Sequence, residues 1–274
     1  MLARMYVKLC DVSPGFRKFT RRYMYQFLAH QYQKDDWSLM NYGYVDLEPG
    51  AIPPHLEAED EENRYCIQLY HHVANAIDLT GLDVLEVGSG RGGGASYIQR
   101  YLNPRAMVGV DYSENAVTLC SRHHCVDGLR FEHGDAENLP FEDHSFDAVV
   151  NVESSHCYGS MEKFLAEVAR VLRPGGHFLF TDFRNREQLP ELDAQLRATG
   201  MTLLAQRDIT PNVLEALNRD HDHRIDQIQR GAPSILAKLV KEFAGVKGAR
   251  IYKQFADGSV IYQSFVLQKS AEGV

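Results

Sequence analysis

From Val84 to Gly94 the chain reads Val-Leu-Glu-Val-Gly-Ser-Gly-Arg-Gly-Gly-Gly, an apolar strand running into a glycine turn. Missing side chains there let a ligand approach the backbone. Gly88, Gly90 and Gly93 satisfy G-x-G-x-x-G, for which a nicotinamide dinucleotide site is one reading. The acids nearby separate that reading from another. Glu86, two positions before Gly88 at the strand end, would repel a pyrophosphate, yet it attracts the ammonium of an amino-acid ligand directly or through water. Asp111 ends the next strand and can accept from both hydroxyls of a ribose, which suits either ligand. Asp135-Ala136 ends a third strand and offers a carboxylate to an adenine amino group, an acid that belongs to sites for S-adenosylmethionine.

The set Glu86-x-Gly88-x-Gly90-x-Gly92, Asp111, Asp135-Ala136-Glu137-Asn138-Leu139-Pro140-Phe141 and Val171-Leu172-Arg173-Pro174-Gly175-Gly176 resembles the class I S-adenosylmethionine-dependent methyltransferases. Further runs are similar to the mycobacterial phthiotriol and phenolphthiotriol dimycocerosate methyltransferases, which O-methylate a secondary alcohol on a polyketide-derived lipid. These runs are Asn41-Tyr42-Gly43-Tyr44, Glu62-x-Arg64, Gly92 to Tyr97 and Asn151-Val152-Glu153-Ser154-Ser155-His156-Cys157-Tyr158. Sugar O-methyltransferases of natural-product pathways share the general pattern. The resemblance implies a doubly wound α/β fold, a Rossmann-like and mostly parallel seven-stranded sheet with an antiparallel last strand and a helical cap. It also implies S-adenosylmethionine as cofactor, S-adenosylhomocysteine as product, and cofactor contacts from Glu86, Gly88, Ser89, Gly90, Gly92, Asp111, Asp135, Ala136 and Asn151. For Asn151 a purely structural amide is the other reading. Tyr44 is expected over the cofactor, near the sulfonium, or else as lid packing; Tyr112 either covers the adenine face or does not.

Methyl transfer needs a nucleophile held in line behind the sulfonium methyl, at about 3–3.5 Å. A carboxylate acceptor is already ionised at neutral pH, whereas an alcohol or phenol benefits from a general base, so the base reports on the acceptor. His156 follows the fourth strand at the carboxyl edge of the sheet, where open α/β folds bind ligands. It is expected to be the base, its other reading being a cap of the helix from Met161 or a wall residue. Glu153 and Asp182 either orient it or replace it; Asp182, read as ending the fifth strand, either lines the acceptor pocket or caps. The expected reaction is O-methylation of a hydroxyl on a small natural product or a lipid- or polyketide-type acceptor, with carboxyl, nitrogen or carbon methylation as alternatives. No metal is required.

The elements that must position these groups follow from hydrophobic pattern. Short apolar runs at Asp83–Val87, Met107–Asp111, Leu129–His133, Phe146–Val152 and His177–Asp182 read as strands. Helical patterns at Gly94–Leu102, Glu114–His124, Met161–Leu172 and Glu187–Thr199 alternate with them, and Arg173-Pro174-Gly175-Gly176 reads as a C-cap and turn. A strand Thr202–Arg207 follows, then a polar helical insertion from Pro211 to Gly248. Two strands, Ala249–Phe255 and Ser259–Leu267, are expected to form a hairpin at Asp257-Gly258. The organisation expected is a helical lid over residues 1–75, a cofactor-binding core over 76–207, a cap insertion over 208–248 and closing strands over 249–274.

Composition excludes several classes. The chain has 274 residues, 44% hydrophobic and 24% charged, and a formal net charge of -8, so disorder is out and the charge disfavours a broad nucleic-acid surface. Five scattered cysteines without a C-x-x-C read as reduced thiols, and no apolar run reaches the length of a membrane span, so a cytoplasmic location without a signal peptide is expected. Residues 16–28 interleave basic and aromatic side chains, which suits a lid helix or a peripheral membrane contact. Cys120 and Cys125 around His123 and His124 read as a helix and its short connection, and the run His221-Asp222-His223 as a solvated helix, rather than as metal sites. Cys157 beside His156 needs no nucleophilic role.

Overall fold

The computed structural model describes residues 38–231, 240–242 and 244–271; the stretch 16–28 lies outside them. A 3-10 turn Glu61–Asn63 leads into helix α1 (Arg64–Ala74), and the chain then winds through β1 (Asp83–Val87), α2 (Gly93–Leu102), β2 (Ala106–Asp111), α3 (Glu114–His123) and β3 (Leu129–His133). After a loop come β4 (Phe146–Val152), α4 (Met161–Val171), β5 (Leu172–Asn185), α5 (Leu189–Ala198) and β6 (Thr202–Asp208). Helices α6 (Thr210–Arg219), α7 (His221–Gly231) and α8 (Arg250–Ala256) precede the last strand, β7 (Val260–Gln268). The seven strands lie in the order β3-β2-β1-β4-β5-β7-β6. Pairing is parallel from β3 to β5, while β7 runs antiparallel to both of its neighbours.

The central strands are apolar on both sides because helices cover both faces. On one face α1, α2 and α6 bury Leu69, Val73, Ile98 and Val213 against Val84, Val150 and Leu179. On the other α4 and α5 bury Phe164, Val168 and Leu196 against Leu85, Val149 and Phe178. The strand order reverses between β1 and β4, so the carboxyl ends of these strands open a crevice, the place where sheets of this kind hold ligands.

Four sequence expectations need correction. The expected strand Ala249–Phe255 is instead the helix Arg250–Ala256, with Ala249 as its N-cap: Ile251, Tyr252 and Phe255 fall on one face at helical spacing, packing toward the core, and their branched and aromatic side chains mimic a strand in isolation. Asp257-Gly258 is therefore a helix-to-strand turn, with Gly258 at φ 73° and the Asp257 carboxylate accepting from the Ser259 N–H, not a hairpin. Arg173 to Gly176 do follow the end of α4, but they belong to β5, where the register shifts between Phe146 and Ala148 and the backbone pairs with Lys269. Because β5 continues to Asn185, Asp182 lies inside a strand, with Phe183 and Arg184 beyond it.

Candidate active site

The glycine loop owes its shape to positive φ at Gly88, Gly90 and Gly92 (79°, 54° and 81°), a region that side chains disfavour. The Gly88 and Ser89 N–H groups both donate to Val110 O, tying the loop to β2. Gly90 N–H donates to Asp111 Oδ2 at 2.9 Å, and Ser113 N–H donates to Oδ1 at 2.9 Å. A Cβ on Gly94 would overlap the Tyr70 ring, so the first turn of α2 seats that ring. Tyr70 then donates its hydroxyl to Glu86 Oε1 at 2.7 Å. Glu86 is 1% exposed, and burial pushes its carboxyl up to about 7 against the lowering effect of Tyr70. Burial likewise raises Asp111, opposed by its backbone donors.

Past β4 the chain turns sharply at Glu153, a non-glycine residue at φ 47°. Such strain persists where surrounding contacts over-determine it. Here Glu153 Oε1 accepts from the Tyr42 N–H at 2.8 Å and from the Tyr262 hydroxyl at 2.7 Å. The turn delivers residues 155–157 as a 3-10 segment directly against β5. Asp182 Oδ2 accepts from the Ser155 hydroxyl at 2.6 Å and the His156 N–H at 2.9 Å, and Oδ1 lies 2.8 Å from His156 Nδ1. The His156 ring tilts against Phe183, with centroids 4.5 Å apart, and Phe183 packs on Tyr42, Phe255 and Tyr262. His156 thus sits in an aromatic wall. Burial disfavours its cation, but Cys157 and the Asp182 carboxylate outweigh that and raise its pKa. Asp182 is held far below the usual carboxylate range, burial notwithstanding, by His156 and Arg184.

A methyltransferase-domain family model matches residues 85–180, the stretch from the middle of β1 through β5. The chain is 41% identical over 248 residues to the phthiotriol/phenolphthiotriol dimycocerosates methyltransferase of Mycobacterium tuberculosis, covering 90% of this chain and 91% of that one. This chain belongs to the class I S-adenosylmethionine-dependent methyltransferases. It is also 40% identical over 252 residues to the fatty-acid O-methyltransferase of Mycolicibacterium smegmatis, covering 92% and 90%. Among solved structures the fold is shared with the [4+2]-cyclase SpnF at TM-score 0.68 and 21% identity, over 91% of this chain and 94% of that one. A geranyl diphosphate C-methyltransferase from Streptomyces coelicolor A3(2) shares it at TM-score 0.60 and 18% identity, over 89% and 97%.

In this methyltransferase the cradle fits S-adenosylmethionine. Glu86 Oε2 and Ser89 Oγ are buried without a hydrogen-bond partner, suited to an ammonium and a polar cofactor group at the end of β1. A Cβ on Gly90 would meet nothing nearer than Met40 Cε at 3.9 Å, so the backbone there faces open space. Asp111 accepts from the Ser113, Gly90 and Tyr112 N–H groups, and the lone pairs of an ionised carboxylate leave capacity for a ribose hydroxyl. Asp135 Oδ1 accepts from Glu137 N–H at 3.0 Å, and Ala136 packs 8% exposed beside it, placing both at the β3 end. Tyr112 is 36% exposed next to Asp111 and its ring tilts toward His133.

Two residues expected at the cofactor also bond within the protein. Asn151 is fully buried, and its Nδ2 donates among Val87 O, Ser154 Oγ and Tyr158 Oη at 2.8–2.9 Å, pinning the β4 end to β1, while its Oδ1 is buried without a hydrogen-bond partner. Tyr44 stacks on His72 with centroids 4.2 Å apart, whereas the glycine loop is met by Tyr70, on another side of α1. Glu153 bonds Tyr42 and Tyr262 rather than His156. Sequence reasoning missed Tyr70, Phe183 and Arg184, which belong to no motif, and gave no role to Ser155, although it lies in the run from Asn151 to Tyr158. Cys120 Sγ and His124 Nε2 bond Gly90 O and Arg91 O, supporting the loop from behind, and His223 bonds Asp220 and Glu62. Among the described residues no group of His, Cys, Asp and Glu is arranged to hold a metal ion, and no helix is long and apolar enough to cross a membrane.

Proposed function

We propose that this methyltransferase methylates the oxygen of a hydroxyl group on a lipid- or polyketide-like acceptor, with His156 as the general base. The observation that carries the reading is the pairing of His156 Nδ1 with Asp182 Oδ1 at 2.8 Å. With Nδ1–H committed to the carboxylate, Nε2 is the nitrogen that takes the hydroxyl proton, and the Asp182 charge stabilises the imidazolium that forms. When bound, S-adenosylmethionine supplies the electrophilic methyl group. The chain's own part is to hold the acceptor oxygen in line, remove its proton and keep water away, and the aromatic wall of Tyr42, Phe183 and Phe255 suits the apolar body of a lipid. The names of the two mycobacterial relatives, one acting on phthiotriol dimycocerosates and one on fatty acids, support a lipid-type acceptor. Residues 38–60 and helices α6 and α7 are proposed to enclose it, as lid and cap.

A second reading is favoured by one observation: the raised pKa of His156 favours an imidazolium, which would pair with the carboxylate of a fatty acid and lead to a methyl ester. Labelled transfer to 12-hydroxyoctadecanoic acid, which carries both groups, separates the two. An alkali-stable label on the hydroxyl oxygen supports the first reading, and label released as methanol supports the second.

A further inference from the structure

β5 carries a third polar residue into this cluster. Arg184, with a side chain 12% exposed, places Nη1 3.1 Å from Asp182 Oδ2. Nη2 donates to Ser155 Oγ at 2.7 Å, and Ser155 in turn donates to the same Asp182 oxygen at 2.6 Å. Nη1 also donates to Phe183 O at 2.8 Å. The guanidinium is therefore fixed from three sides and its donors are directed at the dyad's own support. Its positive charge therefore sits on one Asp182 oxygen while the imidazole sits on the other.

We propose that Arg184 is a positioning residue for the methyl-transfer base, keeping Asp182 ionised and offsetting part of its charge, so that His156 is held in one orientation and its imidazolium is favoured less than it would be by an uncompensated carboxylate. The inference rests on the reading of His156 as base. An uncompensated carboxylate 2.8 Å from Nδ1 would favour the imidazolium strongly, since an opposite charge at that distance shifts a histidine upward by about one to three units. Arg184 opposes this through the shared carboxylate, and Ser155 spreads the charge further. The other titratable groups facing His156 are Cys157 beside it, Glu153 on the same turn, Tyr42 on the 41–44 loop and Tyr262 on β7. The buried Arg224 on α7 also acts on Tyr42 and Glu153 in this cluster; it is unchanged in every variant at position 184, so the comparison reads the Arg184 charge alone.

The test is the protonation of His156, read from ring 15N shifts in histidine-labelled protein, with His156→Gln assigning the signal. In Arg184→Gln the midpoint is expected to rise by about one pH unit, and Arg184→Lys, which keeps the charge, is expected to stay near the wild type. Arg184→Met serves as a second neutral variant, and thermal melts establish that each variant is folded. With 12-hydroxyoctadecanoic acid as probe, the acid limb of kcat/KM should move with the midpoint, a loss of about tenfold at a fixed pH below it. An unmoved His156 midpoint in both neutral variants would overturn the inference. A midpoint that moves while His156→Ala keeps its turnover would instead overturn the base reading and leave the charge effect of Arg184 standing.

Discussion

One carboxylate holds His156 twice: Asp182 Oδ1 lies 2.8 Å from the ring Nδ1, and Oδ2 accepts the histidine's own backbone N–H at 2.9 Å. Ring and main chain are thus fixed by a single group that is 1% exposed, and the orientation of Nε2 follows from the position of β5. A loop residue gains the precision of a strand in this way, which in-line transfer demands.

The proton balance of the dyad predicts a pH profile. His156 is raised above its ordinary 6.5, and transfer to a hydroxyl needs it neutral. Turnover on a hydroxyl acceptor is therefore expected to climb about tenfold per pH unit below a midpoint lying above the usual histidine range, then level off. Asp182→Asn removes the charge, so the midpoint should fall while the plateau drops. A carboxylate acceptor reverses the trend, with rate lost as pH rises and the imidazolium disappears. Initial rates from pH 6 to 10 distinguish the two.

Glu86 links stability to cofactor binding. Burial raises its carboxyl from 4.5 to about 7, so the folded state holds this proton more tightly than the unfolded chain does. The stabilisation is fully present below about 4.5 and lost as pH rises through about 7, amounting to about 3 kcal/mol by pH 8. Glu86→Gln, which keeps the packing and a partner for Tyr70, is expected to raise the melting temperature of cofactor-free protein at pH 8 and to change little at pH 4.5. The same variant should bind S-adenosylmethionine at least about tenfold more weakly by calorimetry, because a charge-assisted contact to the ammonium is gone. A melting temperature that drops at pH 8 would contradict this account.

Gly88 and Gly90 share a left-handed backbone and differ in what surrounds them. A Cβ at Gly88 would fall 2.5 Å from Ser154 Oγ and 2.8 Å from Tyr158 Oη, whereas at Gly90 it would meet only Met40 Cε at 3.9 Å. Gly90→Ala should cost roughly 1–2 kcal/mol of stability from backbone strain alone and abolish cofactor binding by filling the cradle. Gly88→Ala adds overpacking of about 1–3 kcal/mol and should unfold the protein at lower denaturant. Urea titration beside cofactor binding checks the contrast; equal stability of the two variants would refute it.

How much of this was legible in the chain depends on the kind of signal. The central parallel strands were readable because burial on both faces makes them short continuous apolar runs, and Glu86, Asp111 and Asp135 because each acid lies at or just past the carboxyl end of a strand. Residues 249–255 were misread because seven residues with branched and aromatic side chains carry too little period to tell helix from strand. Asp182 was expected at a strand end, since Phe183 and Arg184 look like loop until β7 is known to pair beside them from His177 to Asn185. Tyr70 and Arg184 act through long-range contacts, and the sequence around each is ordinary helix or strand. Asn151 sits in a motif, yet its amide serves Val87 and Ser154, a use that spacing alone does not reveal.

The most direct test of the central claim is mass spectrometry of methyl transfer from methyl-labelled S-adenosylmethionine to 12-hydroxyoctadecanoic acid by wild-type and His156→Ala protein, each followed by mild alkali. The account predicts an alkali-stable methyl ether at the secondary hydroxyl, and a loss of about 100- to 10,000-fold in the variant. Label released as methanol, or an ether formed equally fast without His156, would contradict it.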